Sequence, residues 1–258
     1  MNTKRNPWTI SLVVFIIWFI IVIGGKLLQV DGDLSQEALI SGGILWPLVL
    51  VLLFLILVVA YFKWWRRVGI KGPDRWRDLR LMWLPVLALI LIWMLVESSG
   101  FPPRQALWFI VINTLLVGIS EELMFRGILF FGASSKYGWQ RAVWITAVIF
   151  GLVHSLNGMI TGNFTAALLQ AMMAFLFGVW TAAVRFRLNT IILLMFLHWL
   201  WDFGVFSLSV QAGVKTILGA GLPILFAIIL FLYGVWLLDG SRQSEVETLP
   251  ASELGDFL

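Results

Sequence analysis

The stretch Ser120-Glu121-Glu122-Leu123-Met124-Phe125-Arg126 decides how the rest of the chain is organised. It places two adjacent carboxylates and an arginine inside an otherwise apolar run, residues 108–131. A charged side chain at the centre of a bilayer costs roughly 2.5–3.5 kcal/mol on insertion scales, so partners must compensate these charges. Arg126 follows Glu122 by four residues, which is the spacing of an ion pair on one face of a helix. We therefore predict a buried Glu122–Arg126 pair.

The neighbouring carboxylate, Glu121, has no such partner on its own helix. It points about 100° away from Glu122 and is free to face another helix. The chain contains 2 histidines, His154 and His198, and both lie within apolar runs. We expect both imidazoles to face Glu121.

The composition of the whole chain indicates a polytopic, all-α membrane protein. Of 258 residues, 60% are hydrophobic and 12% are charged, whereas a soluble domain has about 25% charged residues. The absence of cysteine excludes disulfides, thiolate catalysis and metal sites with Cys ligands. The net charge of +4 is not gathered into one basic domain, so no nucleic-acid partner is expected.

The apolar runs predict about eight transmembrane helices that enclose an intramembrane polar site. We expect one transmembrane domain, residues 1–240, followed by a mobile cytoplasmic tail, residues 241–258. Pro47 should kink the second span, and the basic stretch 63–80 should form an interfacial loop or a short surface helix. The predicted spans are 8–25, 38–62, 81–99, 105–131, 141–160, 163–184, 188–210 and 216–238.

The distribution of positive charge predicts the orientation. With the N-terminus inside, 15 of the 18 Lys and Arg residues fall on the cytoplasmic side, and only Lys26, Arg104 and Lys215 fall outside. The positive-inside rule therefore predicts that both termini are cytoplasmic. We expect an integral protein of a bacterial or archaeal cell membrane, in contact with membrane lipid.

Three spans bring ionisable groups to a similar predicted depth. At about 1.5 Å per residue, Glu121 and His198 lie roughly 15 Å from the cytoplasmic end of their spans and His154 roughly 20 Å. Asp202 follows His198 by four residues and shares its helix face. Such a group can hold a water, with a carboxylate as general base and imidazoles that orient the water or bind a metal ion. The substrate is expected to enter from the cytoplasmic half.

Other interpretations of these residues stay open at this point. Glu122 and Arg126 form a structural pair in the favoured interpretation, and a membrane histidine is often only an interhelical hydrogen-bonding group. A proton-coupled transporter also uses buried Glu and His, but it more often shows repeated halves and broken helices.

The chain lacks two sequence motifs of other hydrolases. It has no H-E-x-x-H zinc motif. It also has no G-x-S-x-G nucleophile motif, so Ser120 is a weak nucleophile candidate.

Three motifs in order along the chain resemble a known family. They are Glu121-Glu122-x-x-x-Arg126, Phe150-x-x-x-His154 and His198-x-x-x-Asp202. They are similar to the motifs of the CAAX-processing and bacteriocin-processing (CPBP, or Abi) intramembrane proteases, which include the Ras-converting prenyl endopeptidases. The resemblance covers about residues 104–205.

The resemblance implies an intramembrane endopeptidase that cleaves a membrane-associated peptide or protein. It implies that Glu121 and His154 activate the attacking water, that His198 and Asp202 stabilise the oxyanion, and that Glu122 and Arg126 support the site. The prenyl-processing enzymes commonly have Asn at the position of Asp202; an ionised Asp is a poor oxyanion donor and here orients His198 or is protonated.

The resemblance leaves the cofactor and one other class of function open. No cofactor is expected, and the alternative is a zinc ion held by Glu121, His154 and His198. The alternative function is a non-proteolytic membrane scaffold or a bacteriocin self-immunity protein.

Overall fold

The computed structural model describes residues 6–29, 35–212 and 217–239, and this part of the chain is built of helices. The predicted tail, residues 241–258, lies outside the described residues. The α-helices are α1 (Pro7–Phe19), α2 (Gly25–Gln29), α3 (Gln36–Ser41), α4 (Trp46–Phe62), α5 (Trp83–Ser99), α6 (Arg104–Glu121), α7 (Phe130–Tyr137), α8 (Trp139–Ser155), α9 (Asn157–Thr161), α10 (Phe164–Leu188), α11 (Ile192–Ala212) and α12 (Ile217–Leu237). Two π-helical segments, Ile20–Gly24 and Glu122–Leu129, and a 3₁₀ helix, Trp76–Met82, complete the series.

Within the described residues, 6 helices are long and apolar enough to cross a membrane. Two shorter apolar helices, Trp46–Phe62 and Pro223–Leu237, accompany them. The prediction of an all-α, polytopic integral membrane protein is thereby confirmed. The six longer helices are Pro7–Gln29, Trp76–Ser99, Arg104–Tyr137, Trp139–Thr161, Phe164–Leu188 and Ile192–Gln211.

The second predicted span, 38–62, is divided into α3 and α4 and is not one kinked helix. Pro47 lies in the first turn of α4, where its missing N–H costs no intrahelical hydrogen bond. The side chain of Asn113 in α6 forms hydrogen bonds with the backbone N–H and C=O groups between these two helices. Its amide donates to the carbonyls of Ile40 (2.8 Å) and Gly43 (2.6 Å), and its Oδ1 accepts from the backbone N–H of Leu45 (3.0 Å). The division is therefore supported by a buried polar residue.

The helix that carries the acidic motif is longer than the predicted span 105–131. It continues from α6 through the second π-helical segment and α7, so that Arg104–Tyr137 is one helix of 34 residues. The loop predicted at 132–140 is reduced to a turn at Gly138, whose φ of 79° is a conformation that favours glycine.

Two glycines allow the helices around the acidic motif to approach closely. A Cβ on Gly118 of α6 would lie 2.9 Å from the backbone nitrogen of Trp199 in α11, and a Cβ on Gly151 of α8 would lie 2.9 Å from the carbonyl oxygen of Ala171 in α10. These contacts bring α6 to α11 and α8 to α10 at the level of the two histidines. Glu121 and His198 therefore lie on helices in direct backbone contact.

The basic stretch 63–80 is held at the turn that joins α10 to α11. The backbone N–H of Asp74 donates to the carbonyl of Leu188 (3.2 Å), and that of Ile191 donates to the carbonyl of Gly69 (3.0 Å). Arg185 donates to the carbonyl of Arg67 at 3.0 Å. We call this end of the bundle, formed by residues 63–80 and 188–191, the basic end.

Candidate functional site

The two adjacent carboxylates of the acidic motif contact the same imidazole. Glu122 Oε1 accepts a hydrogen bond from His198 Nδ1 at 2.9 Å, and Glu121 Oε2 lies 3.8 Å from His198 Nε2. The sequence predicted that Glu121 would face His198 but gave no sign that Glu122 would also reach it. Each ring nitrogen of His198 therefore faces a different carboxylate of one helix.

Glu121 lies between the two histidines. Its Oε2 is 4.0 Å from His154 Nε2 and 3.8 Å from His198 Nε2, and within the described structure this buried oxygen accepts no hydrogen bond. Both distances are too long for a direct hydrogen bond. A water that bridges two such atoms lies to one side of the line that joins them, at about 2.8 Å from each.

The ring of His154 is oriented by its own helix. Its Nδ1 lies 2.8 Å from the carbonyl oxygen of Phe150, one turn earlier in α8. Because a carbonyl can only accept, Nδ1 carries the proton of that bond. In the neutral ring Nε2 is then an acceptor, and it is this nitrogen that faces Glu121.

Asp202 lies one turn after His198 on α11. Its Oδ2 is 3.4 Å from His198 Nε2, and its side chain is more exposed (20%) than that of His198 (7%). Three carboxylates therefore surround one imidazole: Glu122 at Nδ1, and Glu121 and Asp202 at Nε2. The structure brings together all four residues that the sequence proposed as catalytic.

The predicted pair of Glu122 and Arg126 is present and almost fully buried. Arg126 Nη1 lies 3.1 Å from Glu122 Oε1, with 1% and 0% of the side chains exposed. The guanidinium also lies over the ring of Phe150, 4.1 Å from its centroid, which is a cation–π contact. Arg126 thus connects the acidic motif of α6 to the motif of α8.

The acidic motif continues into a π-helical segment, Glu122–Leu129, all of whose residues are buried. Such segments are rare and frequently mark functional sites, because the wider turn changes the direction of the side chains that follow. A regular α-helix was expected here. The sequence gives no clear signal for the wider turn.

One charged residue near the site was missed at the level of the sequence. Lys26 of α2 was assigned to the outer loop, yet it follows the π-helical segment Ile20–Gly24 and interacts electrostatically with Glu121. A lysine directly after an apolar run is usually an interfacial anchor. Its place beside the acidic motif is therefore visible only in the folded chain.

A cavity of about 470 Å³ leads to the two histidines. Its volume lies within the range of small-molecule and peptide pockets. The wall is formed by α3, α8, α9, α10, α11 and α12 and by the residues directly before α3 and α10. It includes His154, His198 and Asp202 together with Gln36, Gln170, Phe177 and Trp201.

In this arrangement the three residues of the zinc alternative lie further apart than the ligands of a zinc ion do. Zinc ligands at 2.0–2.1 Å from a tetrahedral ion lie about 3.3 Å from one another, whereas Glu121 Oε2 lies 3.8 Å and 4.0 Å from the two imidazole nitrogens. Within the described residues, no group of three His, Asp or Glu side chains is arranged to hold a metal ion.

Residues 103–204 match the family model described as type II CAAX prenyl endopeptidase Rce1-like. No curated protein and no solved structure matches the chain. The matched segment contains all three motifs and, with them, the four candidate catalytic residues from Glu121 to Asp202. The match supports the assignment of the chain to the CAAX-processing (CPBP) protease family and, at the level of the family, a peptidase within the membrane.

Proposed function

We propose that this chain of the CAAX-processing protease family is an endopeptidase that hydrolyses a peptide bond in a membrane-associated peptide or protein. In this proposal Glu121 is the general base, His154 holds the attacking water, and His198 with Asp202 stabilises the oxyanion. The proposal extends the family assignment, which concerns the class of enzyme, to a mechanism for these residues.

The observation that carries the proposal is the position of Glu121 Oε2 between the two imidazoles. A water at hydrogen-bonding distance, about 2.8 Å, from both Glu121 Oε2 and His154 Nε2 fits their separation of 4.0 Å. It donates one proton to each acceptor, since the Nδ1–H of His154 is used by Phe150. The lone pairs of its oxygen are then free to attack a carbonyl carbon.

The proposed reaction is a general-base hydrolysis through a tetrahedral intermediate. The water oxygen bonds to the carbonyl carbon while its proton passes to Glu121, and the carbonyl oxygen becomes an oxyanion. When the intermediate collapses, the C–N bond breaks and Glu121 returns the proton to the leaving amine. The products are a carboxylic acid and an amine, and the carboxylate of Glu121 is regenerated.

His198 is the proposed donor to the oxyanion. Its Nδ1 is engaged by Glu122, so donation from Nε2 requires a ring that carries both protons. The carboxylates of Glu121, Glu122 and Asp202 supply the opposite charge for such a ring. A donor aimed at a developing oxyanion in a site shielded from water contributes about 10²–10³-fold in rate.

The remaining charges have supporting roles in this proposal. Glu122 fixes the orientation of His198, and Arg126 neutralises Glu122 while it packs on Phe150. Neither side chain is placed to touch the substrate, because both are almost fully buried behind the imidazole. Their removal should act through the position of His198.

The proposal is tested by comparing membrane peptides from cells that carry the wild-type chain with those from cells that carry Glu121→Ala. A protease predicts cleavage products that are present only with the wild type, and uncleaved precursors that accumulate with the variant. An unchanged peptide population, with both proteins present at equal levels in the membrane, would favour the scaffold or immunity function.

A further inference from the structure

The basic end carries a large excess of positive charge. The stretch 63–80 contains 7 Lys and Arg residues and 2 acidic residues, Asp74 and Asp78. Both carboxylates lie beside cations of the same stretch, since Asp74 Oδ1 is 2.6 Å from Lys71 Nζ and Asp78 Oδ1 is 4.0 Å from Arg77 Nε. The charge that is left over attracts anions to this end of the bundle.

Buried polar side chains fix the backbone of this stretch. Arg185 Nη2 donates to the carbonyl of Arg67 at 3.0 Å, and Thr190 Oγ1 donates to the carbonyl of Lys71 at 2.6 Å. Both donors come from buried residues of the bundle. The stretch is therefore tied to the bundle, and little order has to be gained when its side chains bind a partner.

The first turn of the stretch presents cations and an indole at the surface. The side chains of Lys63, Trp65 and Arg67 are exposed, whereas Trp64 between them is buried. The ring of Trp64 packs edge-on against Phe131 of α7 at 5.0 Å, and the guanidinium of Arg67 lies 5.7 Å from the centroid of the same ring. Trp64 thus anchors the turn. We call Lys63, Trp65 and Arg67 the cationic patch.

The length of α4 places the cationic patch at the level of the lipid headgroups. α4 has 17 residues, and at about 1.5 Å per residue it is shorter than the hydrocarbon core of roughly 30 Å. The patch follows directly after its last residue. Trp46 at the beginning of α4 and Trp65 after its end are both exposed, and exposed indoles concentrate at the two headgroup regions of a bilayer.

One buried guanidinium joins the cationic patch to the acidic motif. While Nη2 of Arg185 bonds to the carbonyl of Arg67, its Nε donates to the carbonyl of Arg126 at 3.2 Å. The next residues along each segment are also in contact, because a Cβ on Gly127 would lie 3.3 Å from Cβ of Val68. The patch therefore packs on the π-helical segment that contains Glu122 and Arg126.

We propose that the cationic patch binds the phosphate group of an anionic phospholipid, and that the bound lipid stabilises the π-helical segment Glu122–Leu129 through Arg185. An ammonium and a guanidinium both donate charge-assisted hydrogen bonds to phosphate oxygens. Basic segments beside a membrane span attract anionic lipids in this way. The phosphate belongs to a lipid because Trp65 and the end of α4 hold the patch among the headgroups. The inference does not depend on peptide hydrolysis.

Binding is tested by thermal unfolding of the purified protein in detergent micelles with added phosphatidylglycerol or phosphatidylcholine. Phosphatidylglycerol should raise the unfolding midpoint by several degrees, and phosphatidylcholine should not. The double change Lys63→Gln with Arg67→Gln should weaken the apparent affinity for phosphatidylglycerol by about 20-fold, since each charge near the membrane surface contributes about fivefold.

Arg104→Gln is the matched control, because Arg104 is an exposed cation at the beginning of α6, outside the basic end. It should leave the response to phosphatidylglycerol unchanged. An undiminished response of the double variant, or an equal loss with Arg104→Gln, overturns the site. Inorganic phosphate at the same concentration should not shift the midpoint, and a shift equal to that of phosphatidylglycerol would overturn the assignment to a lipid.

The link to the acidic motif is tested by amide hydrogen exchange of residues 122–129. Phosphatidylglycerol should slow their exchange several-fold in the wild type and should have no such effect in the double variant. Residues 104–112 are the comparison segment, and their exchange should not change. Unchanged exchange of residues 122–129, in samples where the lipid raises the unfolding midpoint, overturns the coupling between the patch and the motif.

Discussion

At the scale of single residues, the site depends on how buried charges are paired. Glu122 has a partner on each side, Arg126 at 3.1 Å and His198 at 2.9 Å. The spacing of Glu122 and Arg126 predicted their pair, because helix geometry alone brings residues i and i+4 together. The second partner comes from a helix 76 residues later, and local spacing carries no information about such a contact.

The first prediction concerns Arg126→Ala. The change leaves Glu122 buried without its cation, which typically costs 3–5 kcal/mol. We expect a lower yield in the membrane and a lower midpoint of thermal unfolding in detergent, with activity lost as a consequence.

A double change controls for the loss of packing at Arg126. Arg126→Met combined with Glu122→Gln removes both charges and keeps most of the volume, and it should recover much of the thermal stability. An Arg126→Ala protein that is as stable as the wild type but inactive would instead place Arg126 in catalysis or substrate binding.

The second prediction concerns Asp202, which lies 3.4 Å from His198 Nε2 and is partly exposed. Asp202→Asn keeps the shape and a hydrogen-bonding oxygen, and it introduces the residue that similar prenyl-processing enzymes commonly have. We expect activity within about tenfold of the wild type, whereas Asp202→Leu should lose about 10²–10³-fold. Equal losses in the two variants would show that the charge of Asp202 itself is required.

At the scale of helices, the site depends on the close approach of α6 and α11. The spans were predictable from apolar runs, since the length of a run is set by the thickness of the bilayer. The division of the second span and the two π-helical segments were not predictable. The division of the second span follows from tertiary contacts, those of Asn113 with the backbone of residues 40–45.

The third prediction concerns Gly118→Ala. The added Cβ would lie 2.9 Å from the backbone nitrogen of Trp199, so α6 and α11 must move apart and Glu121 must shift relative to His198. Misplacement of reacting groups by about 1 Å can cost 10²-fold in rate, and we expect a loss of about 10- to 100-fold in peptide cleavage.

Gly221→Ala is the matched control for this change. No atom lies within 4 Å of the position of its Cβ, so activity should be unchanged and helix propensity slightly improved. Full activity of Gly118→Ala would mean that the site tolerates a wider separation of the two helices.

At the scale of the whole molecule, the fold places a polar site inside a bundle of apolar helices. The four candidate residues at similar predicted depth do lie together, although helix ends differ from those expected by several residues. Lys26 was missed because its electrostatic interaction with Glu121 joins residues 95 positions apart, and it arises only in the folded chain.

The fourth prediction concerns orientation. Because 15 of 18 Lys and Arg residues lie on one side in the eight-span arrangement, a reporter inserted near Gly72 should be cytoplasmic and one inserted near Gly162 should be non-cytoplasmic. A non-cytoplasmic signal at Gly72 would reverse the orientation of the bundle.

The central claim is that Glu121 activates a water for peptide hydrolysis. Its most direct test is the rate of cleavage of an identified substrate by purified wild type and Glu121→Gln in liposomes, with and without a chelator. Glutamine keeps the volume of the side chain and removes the base, so we predict a loss of about 10²–10⁴-fold with thermal stability retained, and no effect of the chelator on the wild type. Full activity of Glu121→Gln would contradict the glutamate mechanism, and activity that is abolished by the chelator and restored by zinc would replace it with a metal-bound water.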